Sequence, residues 1–104
     1  MTQNEFTASL SVLTLPVSYE HAKKGTLAPY INYTWNSNSD LFADDIVYTK
    51  KNEVKIELVC VTKKDINYWS EKLEKVLENI SPWSSDEIYS DGEQLYIKNY
   101  YLEV

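Results

Sequence analysis

Alternating apolar and polar residues mark the most regular part of the chain. Within residues 53–62, every second position carries an apolar side chain, namely Val54, Ile56, Leu58 and Cys60. A period of two is typical of a strand that buries one face against a core. Val59 and Val61 make the second half of this segment apolar on both faces. The pattern therefore predicts a central strand.

Weaker extended segments precede this region. Residues 30–35 follow a proline and predict a second strand, one face of which consists of Ile31, Tyr33 and Trp35. Residues 17–19 predict a short edge strand, and residues 46–49 are also extended in character.

The last part of the chain predicts a hairpin. Residues 87–90 form its first strand, Asp91-Gly92 forms its turn, and a second strand runs from Gln94 towards the C-terminus. Both faces of this last strand carry apolar side chains, so one of these faces must be covered. We expect the helices to cover Leu95 and Tyr101.

Two segments repeat their apolar residues every three or four positions, which predicts helices. In residues 4–14 the apolar face consists of Phe6, Leu10 and Leu13. This helix ends before Leu15-Pro16, because proline cannot continue the hydrogen-bond ladder. A longer helix is predicted over about residues 65–80, with Thr62 as its N-cap and Pro82 beyond its end. Its core-facing stripe consists of Ile66, Trp69, Leu73, Val76, Leu77 and Ile80.

This order of elements predicts a single α+β domain over residues 1–104. We expect a mixed or antiparallel sheet of about four to five strands. The long helix is expected to pack on one face of that sheet, beside a short N-terminal helix.

Between two of the predicted strands lies a polar loop, residues 36–45, which contains the apolar pair Leu41-Phe42. Its carboxylates belong to Asp40, Asp44 and Asp45. A calcium loop of the EF-hand type needs a central glycine and a closing glutamate, and this segment has neither. A solvated acidic loop is therefore the favoured interpretation, and we expect it to become ordered on assembly.

The charge of the chain limits its partners. The formal net charge at pH 7 is −6, and the adjacent lysines form three separate pairs rather than one cluster. An acidic chain repels phosphate, which disfavours broad binding to nucleic acids or anionic membranes. No apolar stretch approaches the ~20 residues of a membrane-spanning helix. We expect a soluble protein that is made in the cytosol.

The residues that usually carry chemistry are few and scattered. His21 is the only histidine and lies among polar residues, and Cys60 is the only cysteine and alternates in phase with the apolar face of its strand. Two such ligands without motif spacing do not make a zinc site. The helix carboxylates Glu71, Glu74 and Glu78 are explained by a solvated polar face. The sequence therefore predicts no enzyme, no cofactor and no metal.

Aromatic residues are the strongest compositional signal. The chain has 9 tyrosines and 3 tryptophans among 104 residues. Tyrosine and tryptophan combine a large rigid contact area with a polar tip, and they are favoured where proteins bind one another. The residues that we predict at a subunit or partner interface are Trp35, Asp40, Leu41, Phe42, Asp44, Tyr48 and Trp83.

A string of short motifs, in order along nearly the whole chain, resembles a known family. LPVSY at residues 15–19 is similar to the family's LPVAY, and PYINY at residues 29–33 to its PPYIVY. Asp40 to Asp45 with Tyr48, VKIEL at residues 54–58 and Lys64-Asp65 follow in the same order. The closing segments are EQLY at residues 93–96 and YYLEV at residues 100–104. The family is that of the tail-terminator proteins (also called tail-completion or head–tail joining proteins) of long-tailed phages and prophages of Gram-positive bacteria.

Two departures from the family pattern concern detail. Ala28 stands where the family has a first proline, and Val59-Cys60 stand where it usually has tyrosine and threonine. The resemblance implies a structural subunit that forms a ring, as a hexamer, with copies of itself. Such a ring caps the tail tube, stops the addition of major tail-tube protein and docks to the head connector or head-completion protein. DNA would only pass through its lumen.

The resemblance also implies a location. The protein would lie in the host cytoplasm during assembly and at the head–tail junction of the virion afterwards, with no membrane partner. Two alternatives stay open at this point. One is another small head–tail component, such as a stopper or head-completion protein. The other is a small acidic adaptor or inhibitor that binds a host protein.

Overall fold

A mixed five-stranded sheet organises the molecule. The structure is a computed structural model, and it describes residues 1–22, 24–37 and 52–104. In chain order the elements are α1 (Gln3–Ser11), β1 (Val17–Tyr19), β2 (Tyr30–Ser37), β3 (Asn52–Cys60), α2 (Lys63–Leu77), β4 (Trp83–Ser90) and β5 (Leu95–Glu103). The strands lie in the order β1-β2-β3-β5-β4. β1 is parallel to β2, and the other neighbours are antiparallel. The predicted α+β class is confirmed.

One core lies between the sheet and the two helices. Phe6 and Leu10 of α1 and Leu73 of α2 are fully buried in the same cluster as Ile56 and Tyr100 of the sheet. The core face of β3 is as its alternation predicts, since Val54, Ile56, Leu58 and Cys60 are all buried. Each large aliphatic side chain that is buried in this way stabilises the fold by roughly 1.5–3 kcal/mol.

Side-chain caps fix the starts of both helices. Thr2 caps α1 with a full capping box, in which the Glu5 amide donates to the Thr2 hydroxyl and the Thr2 amide donates to the Glu5 carboxylate, both at 3.1 Å. Thr62 caps α2 as predicted, because its hydroxyl accepts from the Asp65 amide at 3.1 Å. The cap places the first helical residue at Lys63, two residues before the predicted start.

Several other predicted boundaries are wrong, and α1 for example ends at Ser11 rather than at residue 14. α2 ends at Leu77 rather than near Ile80, whose amide donates to the Leu77 carbonyl in a turn. β4 begins at Trp83 rather than at residue 87, because pairing with β5 imposes extended structure on a polar segment. The hairpin turn takes its positive φ, 55°, at Gln94 rather than at glycine, so that β5 begins one residue later. The strand predicted over residues 46–49 lies outside the described residues.

Candidate interaction surfaces

The two faces of β5 have different surroundings. Tyr100 and Leu102 point into the core and are buried, whereas Tyr101 points to the other side and is 40% exposed. Leu95 shares the side of Tyr101 by strand alternation. The expectation that the helices cover Leu95 and Tyr101 is therefore wrong, because both helices pack on the face of Tyr100. Within the described ranges, no helix packs on the second face of the sheet.

We call this second side the open face, defined by three rows of residues that stand opposite one another across β2, β3, β5 and β4. The first row is apolar and consists of Tyr30, Val59, Ile97 and Ile88. Val59 is only 2% exposed although it lies away from the helices, while Ile88 at the sheet edge is 53% exposed. In this row the exposed apolar area is thus larger at the β4 edge than at Val59 in the middle of the sheet.

The second row of the open face is polar and partly buried. It consists of Asn32, Glu57, Asn99 and Asp86. The Asn99 side-chain amide donates to an Asp86 carboxylate oxygen at 2.9 Å, and the Asn32 amide donates to the Glu20 carbonyl at 2.9 Å. The Asn32 Oδ1 atom is buried without a hydrogen-bond partner among the described residues. Such an unsatisfied group costs about 1–3 kcal/mol.

The third row adds a basic side chain to the open face. It consists of Thr34, Lys55, Tyr101 and Ser84, and the Lys55 ammonium lies 6.0 Å from the centre of the Tyr101 ring. A shallow concavity of about 460 Å³ lies here and also includes Glu53, which shares the side of Lys55 on β3 and which we count as part of the open face. Partial burial raises the pKa of the Tyr101 hydroxyl, and the neighbouring carboxylates of Asp86 and Glu57 raise it further. Three carboxylates, those of Glu53, Glu57 and Asp86, make the open face predominantly acidic, with Lys55 as a basic side chain among them.

A second surface, which we call the helix groove, lies between the end of α1 and the outer side of α2. It encloses about 370 Å³ and is lined by Val12, Leu13, Thr14, Tyr68, Trp69, Lys72, Lys75 and Val76. Val12 is 74% exposed and Tyr68 is 54% exposed. The Tyr68 and Trp69 rings meet edge to face at 5.1 Å, and the Lys72 ammonium lies 5.0 Å from the Tyr68 ring centre. The lining is thus aromatic, and its charged side chains are lysines.

The two edges of the sheet differ in length. β1 has three residues and β4 has eight. Two acidic residues, Asp86 and Glu87, lie in the middle of β4, and Glu87 forms an ion pair with Lys63. Charged residues along an edge disfavour pairing with the same edge of another copy. We therefore regard the open face and the helix groove, rather than the β4 edge, as the main candidate surfaces.

Of the residues that the sequence predicts at an interface, the structure describes two. Trp35 and Trp83 lie in one cross-strand row on the core side, with Val54 and Leu102 between them. Both tryptophans are partly buried against the core, and Trp35 meets the Phe6 ring at 5.5 Å. Their role at an interface stays a prediction. The remaining five, Asp40, Leu41, Phe42, Asp44 and Tyr48, lie outside the described residues. The predicted start of the loop at residue 36 is wrong, because Asn36 and Ser37 belong to β2 and pair with β3. The rest of the loop, with its predicted ordering, lies outside the described residues.

Sequence reasoning missed Tyr101 on the open face and Tyr68 in the helix groove. The signal for Tyr101 was its position directly after the core residue Tyr100. Successive side chains of a strand point to opposite faces, so Tyr101 must lie on the side away from the core. For Tyr68, the signal was its place outside the apolar stripe of α2.

The only histidine and the only cysteine form no site with one another. His21 is exposed, and Cys60 is fully buried, where burial raises the pKa of its thiol to about 11. Glu74 does not belong to a purely solvated helix face, because it accepts a hydrogen bond from the Tyr100 hydroxyl at 2.8 Å. Across residues 1–22, 24–37 and 52–104, no group of three His, Cys, Asp or Glu side chains could hold a metal ion.

Comparisons with known proteins add no relative to this picture. The chain matches no protein-family model, no curated protein and no solved structure. In the part of the chain that the structure describes, no helix is long and apolar enough to cross a membrane.

Proposed function

We propose that the chain is a structural subunit that closes a phage tail. In this role it forms a ring with copies of itself, caps the tail tube, stops its elongation and presents the surface to which the head connector docks. The observation that carries the proposal is the one-sided packing of the sheet. Both helices lie on one face, and the other face offers a charged, partly apolar surface with Tyr101 and Ile88 exposed.

A one-sided sheet suits a protein whose function lies in its contacts. An open face of this kind, together with the helix groove, provides two chemically different surfaces on one small domain. A ring needs such a pair, because each subunit must bind the next one head to tail. The ordered motifs at residues 15–19, 29–33, 54–58 and 93–104 support the tail-terminator form of this role.

The charge of the chain fits the passage of DNA through such a ring. With a formal net charge of −6, its surface would repel the phosphate backbone on average. DNA could then move through a lumen without being held. Under this proposal the protein carries out no reaction and uses no cofactor.

The test is tube polymerisation in the presence of the chain. Purified major tail-tube protein is allowed to polymerise with and without the chain, and products are examined by electron microscopy and mass photometry. We expect six-fold rings at tube ends and tubes that stop growing. A chain that remains monomeric and leaves tube length unchanged at high concentration would contradict the proposal.

The same experiment separates the alternative functions. Binding to the head connector without any effect on tube growth would favour a stopper or head-completion protein. Capture of a host protein with no binding to tube or connector would favour an adaptor or inhibitor. Chain denatured by heat before addition serves as the control for effects of added protein.

A further inference from the structure

We propose that the helix groove of one copy binds the open face of the next copy. The inference rests on the proposed function, since it names the contact from which a ring would be built. It requires only the described residues and the chemistry of the two surfaces.

Charge gives the first argument. The charged side chains that line the helix groove are Lys72 and Lys75. On the open face, Glu53, Glu57 and Asp86 surround the basic Lys55. Opposite charges across an interface steer association and fix its register. Repulsion from the net charge of the whole chain is screened beyond the Debye length of about 8 Å at physiological salt.

Apolar and aromatic contacts give the second argument. The groove exposes Val12 and Tyr68, and the open face exposes Tyr101 and Ile88. Tyrosine is favoured among the residues that dominate binding energy, because it covers much area with few rotatable bonds. Each surface therefore combines aliphatic area, a tyrosine and charges of one predominant sign.

Geometry gives the third argument. The helices lie on one side of the sheet and the open face lies on the other, so the two surfaces of a single copy cannot meet. A two-fold dimer through one surface would set like charges against each other, with carboxylates facing carboxylates or lysines facing lysines. The complementary arrangement is head to tail, and such contacts build rings when they close and filaments when they do not.

Charge reversal tests the contact directly. The groove variant carries Lys72→Glu with Lys75→Glu, and the face variant carries Glu53→Lys with Glu57→Lys. Sedimentation velocity at physiological ionic strength, and at higher salt, measures self-association of the full chain. We expect the wild type to associate in a concentration-dependent and salt-sensitive way. Each variant alone should lose at least tenfold in association constant.

The face variant contains its own control for net charge. Each Glu→Lys change adds two positive charges, so the formal charge goes from −6 to −2. If only overall repulsion mattered, this variant would associate more strongly than the wild type, which is the opposite of our expectation. Lys24→Glu, at an exposed residue outside both surfaces, should leave association unchanged.

Restoration is the decisive measurement. In a chain that carries all four substitutions, the groove is acidic and the open face is basic, so this chain should associate again. A mixture of the two double variants should also associate, because each variant offers a surface of opposite charge to the other. Thermal unfolding by circular dichroism confirms that every variant is folded. The proposal is overturned if the folded wild type does not self-associate, if either variant associates normally, or if the four-substitution chain does not recover.

The outcomes also separate this contact from the proposed function. A ring that forms on the tail tube and is insensitive to both double variants would leave the proposed function standing and would refute the contact. A head-to-tail assembly that shows the expected restoration but never binds tube protein would support the contact and refute the tail function.

Discussion

At the scale of single residues, Tyr100 shows how a polar group is accommodated in the core. Among the described residues, Tyr100 has the largest side chain that is fully buried. Its hydroxyl donates to Glu74 Oε2 at 2.8 Å. The Lys98 ammonium lies 3.3 Å from the same oxygen. Burial raises the pKa of the Tyr100 hydroxyl, and the Glu74 carboxylate raises it further. The hydroxyl therefore stays protonated and remains a donor at neutral pH.

We predict that Tyr100→Phe lowers the free energy of unfolding by about 1.5 kcal/mol. A hydrogen bond to a charged acceptor contributes about 1.5–3 kcal/mol, and the partial exposure of Glu74 favours the lower end of that range. Urea denaturation measures the change. Tyr101→Phe is the matched control on the open face, and it should change stability by less than about 0.5 kcal/mol. Equal losses in both variants would contradict this account.

Asn32 and Asn99 illustrate what a residue pattern leaves undetermined. Both lie on the open face and are more than nine-tenths buried without a helix above them. The sequence places them on the side away from the core, but it does not reveal that neighbouring side chains and the Glu20 carbonyl enclose them. Burial on an uncovered face depends on side chains from separate strands, which no local pattern reports.

At the scale of elements, strong periodicity and caps were predictable. The alternation of β3, the apolar stripe of α2 and the Thr62 cap all follow from local sequence, and the structure confirms them. The first half of β4 did not follow, because Ser84, Ser85 and Asp86 have no strand preference of their own. These residues are extended because β5 provides hydrogen-bond partners along the whole of β4.

We predict that Thr62→Ala destabilises the protein by about 1 kcal/mol. The Thr62 hydroxyl accepts from the Asp65 amide, and its loss leaves a helix-terminal donor without that partner. Chemical denaturation measures the difference. Thr62→Ser keeps an acceptor at the cap and should remain within a few tenths of a kcal/mol of the wild type. If both substitutions cost the same, the capping hydrogen bond is not the source of the effect.

At the scale of the whole molecule, the choice of covered face was the main feature that sequence could not supply. β5 is apolar on both sides, and alternation alone does not say which side meets the helices. The choice depends on how α1 and α2 pack on the sheet, and α1 is distant in the chain from the core strands β3 and β5. This choice determines the candidate site, because it leaves Tyr101 rather than Tyr100 on the surface.

We predict that stability falls as the pH rises from 9 towards 11. The pKa of the Cys60 thiol is raised from 9.0 to about 11 in the folded protein, so the fold favours the protonated thiol. Unfolding releases that proton above pH 9, and stability that is fully present below pH 9 is lost up to pH 11. The loss is at most about 1.4 kcal/mol per pH unit for one proton. Urea denaturation across this range measures it.

The matched variant for this effect is Cys60→Ala, which should have a shallower slope of stability against pH. The slope is the informative quantity, because the substitution also removes a buried sulfur and lowers stability at every pH. Tyr100 contributes its own alkaline destabilisation in both proteins, since its pKa is raised as well. Identical slopes for the two proteins would exclude Cys60 as a source.

The position of β5 has a consequence for biosynthesis. This strand is the last of the described elements along the chain, yet it lies between β3 and β4 and pairs with both. A growing chain on the ribosome can form α1, α2 and the β2–β3 pair, but it cannot complete the sheet until residues 95–103 have emerged. Neither the open face nor the fully packed core exists before that moment. Under the proposed function, a copy would therefore become competent for assembly only after β5 has been made, which would keep partly made copies out of a larger structure.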